Sequence, residues 1–175
     1  MRKIRYAVAM SVDGYIAGPN GEADWIGVDS DFDFAALWAQ FDTGLMGRRT
    51  YEAASKRLGE AAFAGITTIV FSRTMKQQDH PKVTVISEMN PDWVQALKTR
   101  SGKDIWLFGG AQLFRSLLDS GHVDTVEVTV IPVMLGGGVP LLPPPYNPAK
   151  LRLMSHKVYG SGRVSLAYDV QHQVP

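Results

Sequence analysis

The sequence predicts a three-layer α/β protein, in which helices cover both faces of a mainly parallel sheet and antiparallel strands form one edge. Short apolar runs bounded by turn residues alternate with segments of helical spacing through the first two thirds of the chain. Runs such as 67–71 are apolar almost throughout, as in strands buried on both faces. The last third carries strand-like runs with no long helical segment between them, which is typical of an antiparallel edge.

Eight segments have the composition of strands. In chain order they are Ile4–Met10, Gly44–Met46, Thr67–Phe71, Val83–Ile86, Ile105–Phe108, Val123–Val133, Leu151–Tyr159 and Val164–Val170. The segment 140–148 holds five prolines, which exclude a central strand or a helix, so we expect a stiff surface connection there.

Three helices between the strands can be given bounds from the sequence. The first lies near 31–41, because apolar residues recur there at helical spacing, namely at Phe34, Leu37, Trp38 and Phe41. The second begins after Asn90, which can cap it, and ends before Gly102. The third spans about Ala111–Leu118.

Length and charge limit the classes of function. A chain of 175 residues fits one domain over 1–175. Its 18 basic and 17 acidic residues are spread evenly, so a nucleic-acid partner is not expected. The sequence has no cysteine, which excludes disulfides and a cysteine nucleophile, and no metal site is expected. The apolar N-terminal run meets Ser11 and Asp13 too early for a signal peptide or membrane span, so we expect a cytoplasmic protein without a membrane partner.

Four short segments at predicted strand ends carry the candidate chemistry. The first, Ser11–Ala17, follows the first strand directly and reads S-V-D-G-Y-I-A. In α/β sheets, ligands bind beyond the carboxyl ends of the strands, which favours a binding loop here. Asp13-Gly14 is equally an ordinary turn pair, so a simple tight bend stays open as the alternative.

The second segment, Gly47–Glu52, delivers Arg48, Arg49 and Thr50 to a predicted helix start. Free backbone N–H groups and the positive end of the helix dipole suit a phosphate at such a position. Arginine adds charge-assisted and often bidentate hydrogen bonds to phosphate oxygens. The alternative is a pair of solvated surface arginines.

The third segment places Ser72 and Arg73 at the end of another strand. A hydroxyl beside a guanidinium could hold the extra phosphate that distinguishes NADPH from NADH. A capping serine beside an exposed arginine explains the same pair without a ligand.

The fourth segment is the glycine pair Gly109-Gly110, between Phe108 at a strand end and the predicted helix at 111. Paired glycines let the backbone approach a ligand closely, and the helix start again favours a pyrophosphate. The spacing is not the G-x-G-x-x-G fingerprint, so this segment is weak evidence by itself.

Taken in order, together with Trp25 after the first loop, the four segments resemble the dihydrofolate-reductase-like superfamily. The resemblance spans essentially the whole chain. It is closer to a bacterial branch, related to the reductase domain of the riboflavin-pathway bifunctional deaminase–reductase. It implies a dihydrofolate-reductase-like fold and NADPH as cofactor.

The resemblance also implies roles for individual residues. The cofactor residues would be Ala9, Ile16 and Ala17 at the nicotinamide, Gly47, Arg48, Arg49 and Thr50 at phosphates, Ser72 and Arg73 at the 2′-phosphate, and Gly109, Gly110, Ala111 and Gln112 at the pyrophosphate. The substrate would lie beside Asp13, Trp25 and Phe34.

The candidates for proton donation are acidic residues that follow the tryptophan. Folate reductases carry such a carboxylate at the start of the first helix. Asp33 matches that position best, Asp31 comes next, and Asp29 lies in the same region. Helix capping and dipole complementarity are the alternative for this acidic cluster.

The expected function is an NADPH-dependent reductase that transfers a hydride to a heterocyclic or ribosylamino-pyrimidine substrate. The resemblance implies an activity similar to that of 5-amino-6-(5-phosphoribosylamino)uracil reductase, without the zinc deaminase domain, whose cysteines this chain lacks. Dihydrofolate reductase and a non-catalytic dinucleotide-binding protein stay open as alternatives. The alternating C-terminal strands also favour a homodimer.

Overall fold

The computed structural model describes residues 1–59, 63–145 and 147–171. Its strands are β1 (Ile4–Ser11), β2 (Tyr15–Ala17), β3 (Phe41–Gly47), β4 (Thr67–Phe71), β5 (Thr84–Ile86), β6 (Asp104–Gly109), β7 (Thr125–Ile131), β8 (Val139–Pro140), β9 (Lys150–Val158) and β10 (Val164–Gln171). Its α-helices are α1 (Phe34–Trp38), α2 (Arg48–Leu58), α3 (Pro91–Thr99) and α4 (Ala111–Asp119).

Eight strands form one sheet in the order β5-β4-β3-β6-β1-β7-β10-β9. The six strands from β5 to β7 pair in parallel, and β10 pairs antiparallel with both β7 and β9. The mainly parallel sheet with an antiparallel C-terminal edge is therefore confirmed.

Helices lie on both faces of this sheet. On one face, α3 and α4 bury Val94, Leu97 and Leu117 against strand residues such as Ile105 and Leu107. On the other face, α1 contributes Leu37 and Trp38 to a cluster around Trp106, and α2 packs beside Met46 and Val70. No helix of the described ranges is both long and apolar enough to cross a membrane.

The first helix is shorter than the sequence predicts. The expected helix near 31–41 is confined to Phe34–Trp38, and Phe41 already belongs to β3. Phe41 is nonetheless buried, because it stacks on Trp106 with ring centroids 5.2 Å apart and lies under the Arg5 guanidinium. The apolar spacing therefore mixes a helical stripe with the first residue of a central strand.

The second helix agrees closely with its sequence signals. The side chain of Asn90 accepts hydrogen bonds from the backbone N–H groups of Asp92 and Trp93, and Pro91 occupies the first turn. The helix ends at Thr99, before the glycine expected to stop it.

A two-stranded sheet of β2 and β8 was not predicted. It joins Tyr15 to Pro140 and Ala17 to Val139, and so fastens the start of the proline-rich segment to the loop after β1. A proline is tolerated at this place because the pairing lies at an edge.

Candidate functional site

All four predicted segments meet at one edge of the sheet, where β4, β3, β6 and β1 end side by side. Because these strands are parallel neighbours, their carboxyl ends form a continuous row. Gly47 lies opposite Phe71, and Met46 lies opposite Gly109. The arginine pair at 48–49 and the glycine pair at 109–110 are therefore on the same side of the molecule.

The helices that directly follow β3 and β6 have no side-chain cap at their N-termini. Gly47 precedes α2 and Gly110 precedes α4, and neither helix has a side-chain cap. The other two α-helices of the described ranges are both capped by a side chain, α1 by Asp33 and α3 by Asn90. Since the first N–H groups of a helix need partners, the pair of uncapped starts offers donors to an anion.

The glycine pair packs against the first turn of α2. A Cβ on Gly109 would lie 3.3 Å from Cγ2 of Thr50, and a Cβ on Gly110 would lie 3.1 Å from its Oγ1. Gly109 also has φ +147°, which side chains rarely allow, and the peptide between the two glycines is cis. Glycine at both positions leaves room for the Thr50 side chain against this turn.

Two arginines of the predicted cofactor set have no partner among the described residues. These are Arg49, in the first turn of α2, and Arg73, which is exposed just after β4. Arg48 instead lies 3.1 Å from Oε1 of Glu52 in an exposed pair. Ser72 is buried, and its hydroxyl accepts hydrogen bonds from the N–H groups of the two residues after Arg73.

The S-V-D-G segment forms a latch between two loops. Ser11 is fully buried, and its hydroxyl donates to Oδ1 of Asp13 at 2.6 Å. The Asp13 carboxylate also accepts from the N–H groups of Leu135 and Gly136, the latter at 2.7 Å. These hydrogen bonds lower the pKa of Asp13 to about 2, and the hydrogen bond from Ser11 has the largest effect. The role of Asp13 seen here is to hold the loop after β7 against the turn after β1.

An uncovered patch of the sheet lies beside this latch, on the face of α1 and α2. We call it the open sheet face and define it by Ala9, Thr129 and Ser165, which neighbour one another on β1, β7 and β10. All three are partly exposed although β1 and β7 are inner strands. The hydroxyls of Thr129 and Ser165 lie 2.8 Å apart.

Aromatic rings border the open sheet face on the β6 side. Trp106 is buried, with its ring centroid 4.8 Å from that of Phe108 and 6.1 Å from that of Phe34. Phe34 is 50% exposed at the start of α1. Strand end and helix therefore present an apolar wall beside small and hydroxyl-bearing residues.

The candidate proton donors lie around the start of α1. Asp33 is exposed, and Oδ1 caps the helix by accepting from the N–H of Ala36 at 2.8 Å. Asp31 is exposed as well, and its backbone N–H donates to the side chain of Asp29. The pKa of Asp29 is lowered, mainly because its carboxylate accepts a hydrogen bond from the Ser161 hydroxyl.

Trp25 lies in a short 3-10 turn at 24–26, between the loop after β2 and α1. Its indole N–H donates to the backbone oxygen of Glu22 at 3.0 Å. The end of α2 holds the same turn, because Arg57 donates to the oxygen of Ala23. Trp25 is therefore fixed by the protein itself.

Three features of this site were not predicted from the sequence, namely Thr129, Ser165 and the loop at Gly136–Gly138. A Cβ on Gly138 would lie 2.1 Å from the backbone oxygen of Ala17, so this loop packs directly on β2. The run of three glycines after a strand was a readable signal. Alternation along 123–133 also placed Thr129 on one face, but nothing in the sequence showed that this face is uncovered.

The RibD C-terminal domain family matches residues 2–165 of the chain. The chain belongs to this family. Two uncharacterized proteins of Bacillus subtilis (strain 168) are similar to it: YyaP, 32% identical over 95% of this chain and 94% of YyaP, and YwjB, 33% identical over 95% of this chain and 97% of YwjB.

Solved structures share the RibD C-terminal fold. A putative riboflavin biosynthesis protein from Shewanella sp. PV-4 has a TM-score of 0.82 and 25% identity, covering 98% of this chain and all of its own. The Thermotoga maritima deaminase and 5-amino-6-(5-phosphoribosylamino)uracil reductase has a TM-score of 0.71 and 18% identity, covering 97% of this chain and 57% of its own. The dihydrofolate-reductase-like fold is thereby confirmed.

Proposed function

We propose that this member of the RibD C-terminal family is an NADPH-dependent reductase. The observation that carries the proposal is the pair of uncapped helix starts at neighbouring strand ends, with Gly109-Gly110 packed against Thr50 between them. Two helix starts without a side-chain cap, and Arg49 without a partner in the described part of the chain, suit the pyrophosphate and phosphates of a dinucleotide. The cofactor would extend along the row of strand ends from Ser72 towards Ala9.

The protein's own contribution to the reaction is positioning. Bound NADPH supplies a hydride from its nicotinamide to an imine or carbonyl carbon. Ala9, Ile16 and Ala17 would border the nicotinamide, and the latch at Asp13 keeps the two loops around that end closed. Alignment of donor and acceptor and exclusion of water then provide most of the rate. Asp31 or Asp33 would give the proton.

Binding of NADPH is the first test. A saturating concentration, about 100 times Kd, adds roughly 2.7 kcal/mol of stability, which raises the melting temperature by about 5–10 °C in a domain of this size. We expect this shift with NADPH in differential scanning fluorimetry. Millimolar NADPH without any shift would remove the cofactor proposal.

Arg73 tests the choice of NADPH over NADH. Replacing Arg73 by alanine removes a charged partner of the 2′-phosphate, so we expect NADPH affinity to fall roughly tenfold or more while NADH affinity is unchanged. Arg100→Ala is the matched control, because Arg100 is also exposed but follows α3 at the opposite end of the strands. Isothermal titration calorimetry measures the affinities of each variant for NADPH and for NADH. Equal losses of affinity for the two cofactors in Arg73→Ala would contradict the role of Arg73.

The substrate is proposed to be a heterocycle of the riboflavin-pathway type, bound near Trp25, Phe34 and Asp13. Dihydrofolate is the second candidate, because Asp33 lies at the start of α1 as the folate-reductase pattern requires. NADPH oxidation with each compound separates the two. Turnover of dihydrofolate that disappears in Asp33→Asn favours the second candidate, and binding of NADPH without turnover of any heterocycle favours a non-catalytic protein.

A homodimer is proposed because a second copy of the chain would cover the exposed edge strand β9. All nine residues of β9 are exposed, and they include Leu151, Leu153 and Met154. A long exposed edge with apolar side chains is a ready surface for a second copy related by a two-fold axis. Light scattering is expected to give a dimer mass for the native protein and a monomer mass for Leu153→Lys. A monomeric native protein at micromolar concentration would refute the dimer.

As an NADPH-dependent reductase the protein would work in the cytoplasm.

A further inference from the structure

We infer that the substrate is a flat, uncharged heterocycle without a phosphate group, bound on the open sheet face. This inference rests on the proposed function, because it assigns the chemistry of the same site. It also departs from the substrate in the name of the Thermotoga protein, which carries a phosphoribosyl group. Three features of the described chain support it: the exposure of the sheet, the nature of its walls and the state of the nearby cations.

The exposure marks a place for a ligand. Ala7 is only 8% exposed because Trp106 and the residues of α1 pack around it. Ala9 lies on the same strand and the same face but is partly exposed, together with Thr129 and Ser165 beside it. The side chains of this patch are small, so a ring could lie flat against the strands beside the aromatic wall.

The aromatic wall favours a planar apolar surface on the ligand. Half of the Phe34 side chain is exposed, although Trp106 is 6.1 Å away and could have shielded more of it. Covering Phe34 and Phe108 with a ring would bury apolar area and allow offset or edge contacts between π-systems.

The two hydroxyls of the open sheet face favour a neutral hydrogen-bonding edge on the ligand. The Thr129 and Ser165 hydroxyls share one hydrogen bond, which leaves one O–H donor and several lone pairs for a ligand. Such groups match ring nitrogens and carbonyl oxygens. They do not supply the positive charge that a phosphate requires.

Three arginines around this face are paired with carboxylates. Arg5 binds both oxygens of Glu127, at 2.6 and 2.8 Å, and the hydrogen bond to Glu127 raises the pKa of Arg5. Arg163 lies 3.2 Å from Asp29, and both side chains are largely buried. Arg152 on β9 pairs with Asp169 at 2.9 Å. A phosphate at one of these arginines would compete with the carboxylate that already neutralises its charge.

Lys157 has no carboxylate partner among the described residues. It lies opposite Ser165 on β9, and its ammonium is 4.5 Å from the centroid of the Tyr159 ring. A ring holds the ammonium without cancelling its charge. If the substrate carried a phosphate after all, Lys157 would be the residue to bind it.

The experiment compares two ligands that differ only in the phosphate. The protein is first saturated with NADP⁺, whose binding is measured separately, and is then titrated calorimetrically with 5-amino-6-(5-phosphoribosylamino)uracil or with its dephosphorylated form. We expect the dephosphorylated compound to bind at least as tightly. Tenfold tighter binding of the phosphorylated compound, lost in Lys157→Ala, overturns the inference, and so does the absence of binding by both. A lack of NADP⁺ binding instead overturns the proposed function.

Variants locate the ligand on this face. Phe34→Ala and Thr129→Val are each expected to weaken the dephosphorylated compound about tenfold, with NADP⁺ affinity unchanged. Val28→Ala is the control, because Val28 is a fully exposed apolar residue before α1. Equal affinities in Phe34→Ala, Thr129→Val and the native protein would place the ligand elsewhere and overturn the inference.

Discussion

Replacing Gly109 by alanine is expected to abolish useful NADPH binding, with affinity falling by about 100-fold or more. The new Cβ would lie 3.3 Å from Cγ2 of Thr50, and it would stand on a residue with φ +147°. Moving Thr50 shifts the first turn of α2, while strain at Gly109 shifts the start of α4. Two or more charge-assisted hydrogen bonds to the cofactor are lost, each contributing about 1.5–3 kcal/mol.

Gly59→Ala separates backbone strain from loss of the binding surface. Gly59 also has a left-handed φ of +74°, but a Cβ there would meet no atom within 4 Å. Both variants should lose roughly 1–3 kcal/mol of stability from strain. Calorimetric titration should show that only Gly109→Ala loses NADPH. An unaltered NADPH affinity in Gly109→Ala would show that the cofactor does not bind where the glycine pair packs on Thr50.

The sequence predicts the fold well where one signal has one meaning. Asn90 followed by Pro91 marks the start of α3, and the apolar run 67–71 is a buried strand with the same bounds in the structure. The prediction fails at Phe41, where helical spacing continues by coincidence into β3. Periodicity alone cannot separate a last helical position from a first strand position when both are buried.

The site is less predictable than the fold, because its features depend on long-range contacts. The row of strand ends follows from parallel topology, so Arg48 and Gly109 could be placed together before the structure was known. Whether a side chain is already used by the protein could not be read. Asp33 caps α1, and the Ser72 hydroxyl holds its own turn, as the alternative explanations for both residues allow.

Asp13→Ala is expected to damage turnover more than cofactor affinity, lowering kcat/KM on the order of 100-fold. The substitution removes the acceptor for the buried Ser11 hydroxyl and for the N–H groups of Leu135 and Gly136. The loop after β7 then loses its attachment to the turn after β1, and small displacements of groups around the reacting atoms cost about this much rate. Steady-state kinetics measures the loss. Asp79→Ala, at an exposed aspartate far along the chain, is the control.

The same carboxylate gives stability a defined dependence on pH. Its pKa is about 2 in the folded protein and near 3.8 without these hydrogen bonds. The folded state therefore favours the ionised form, and the stabilisation is fully present above about pH 4 and disappears as the pH falls towards 2. Melting temperatures of the native protein and Asp13→Ala should differ most at neutral pH and converge in acid. A difference that persists unchanged at pH 2 would mean that the latch acts through packing and not through its charge.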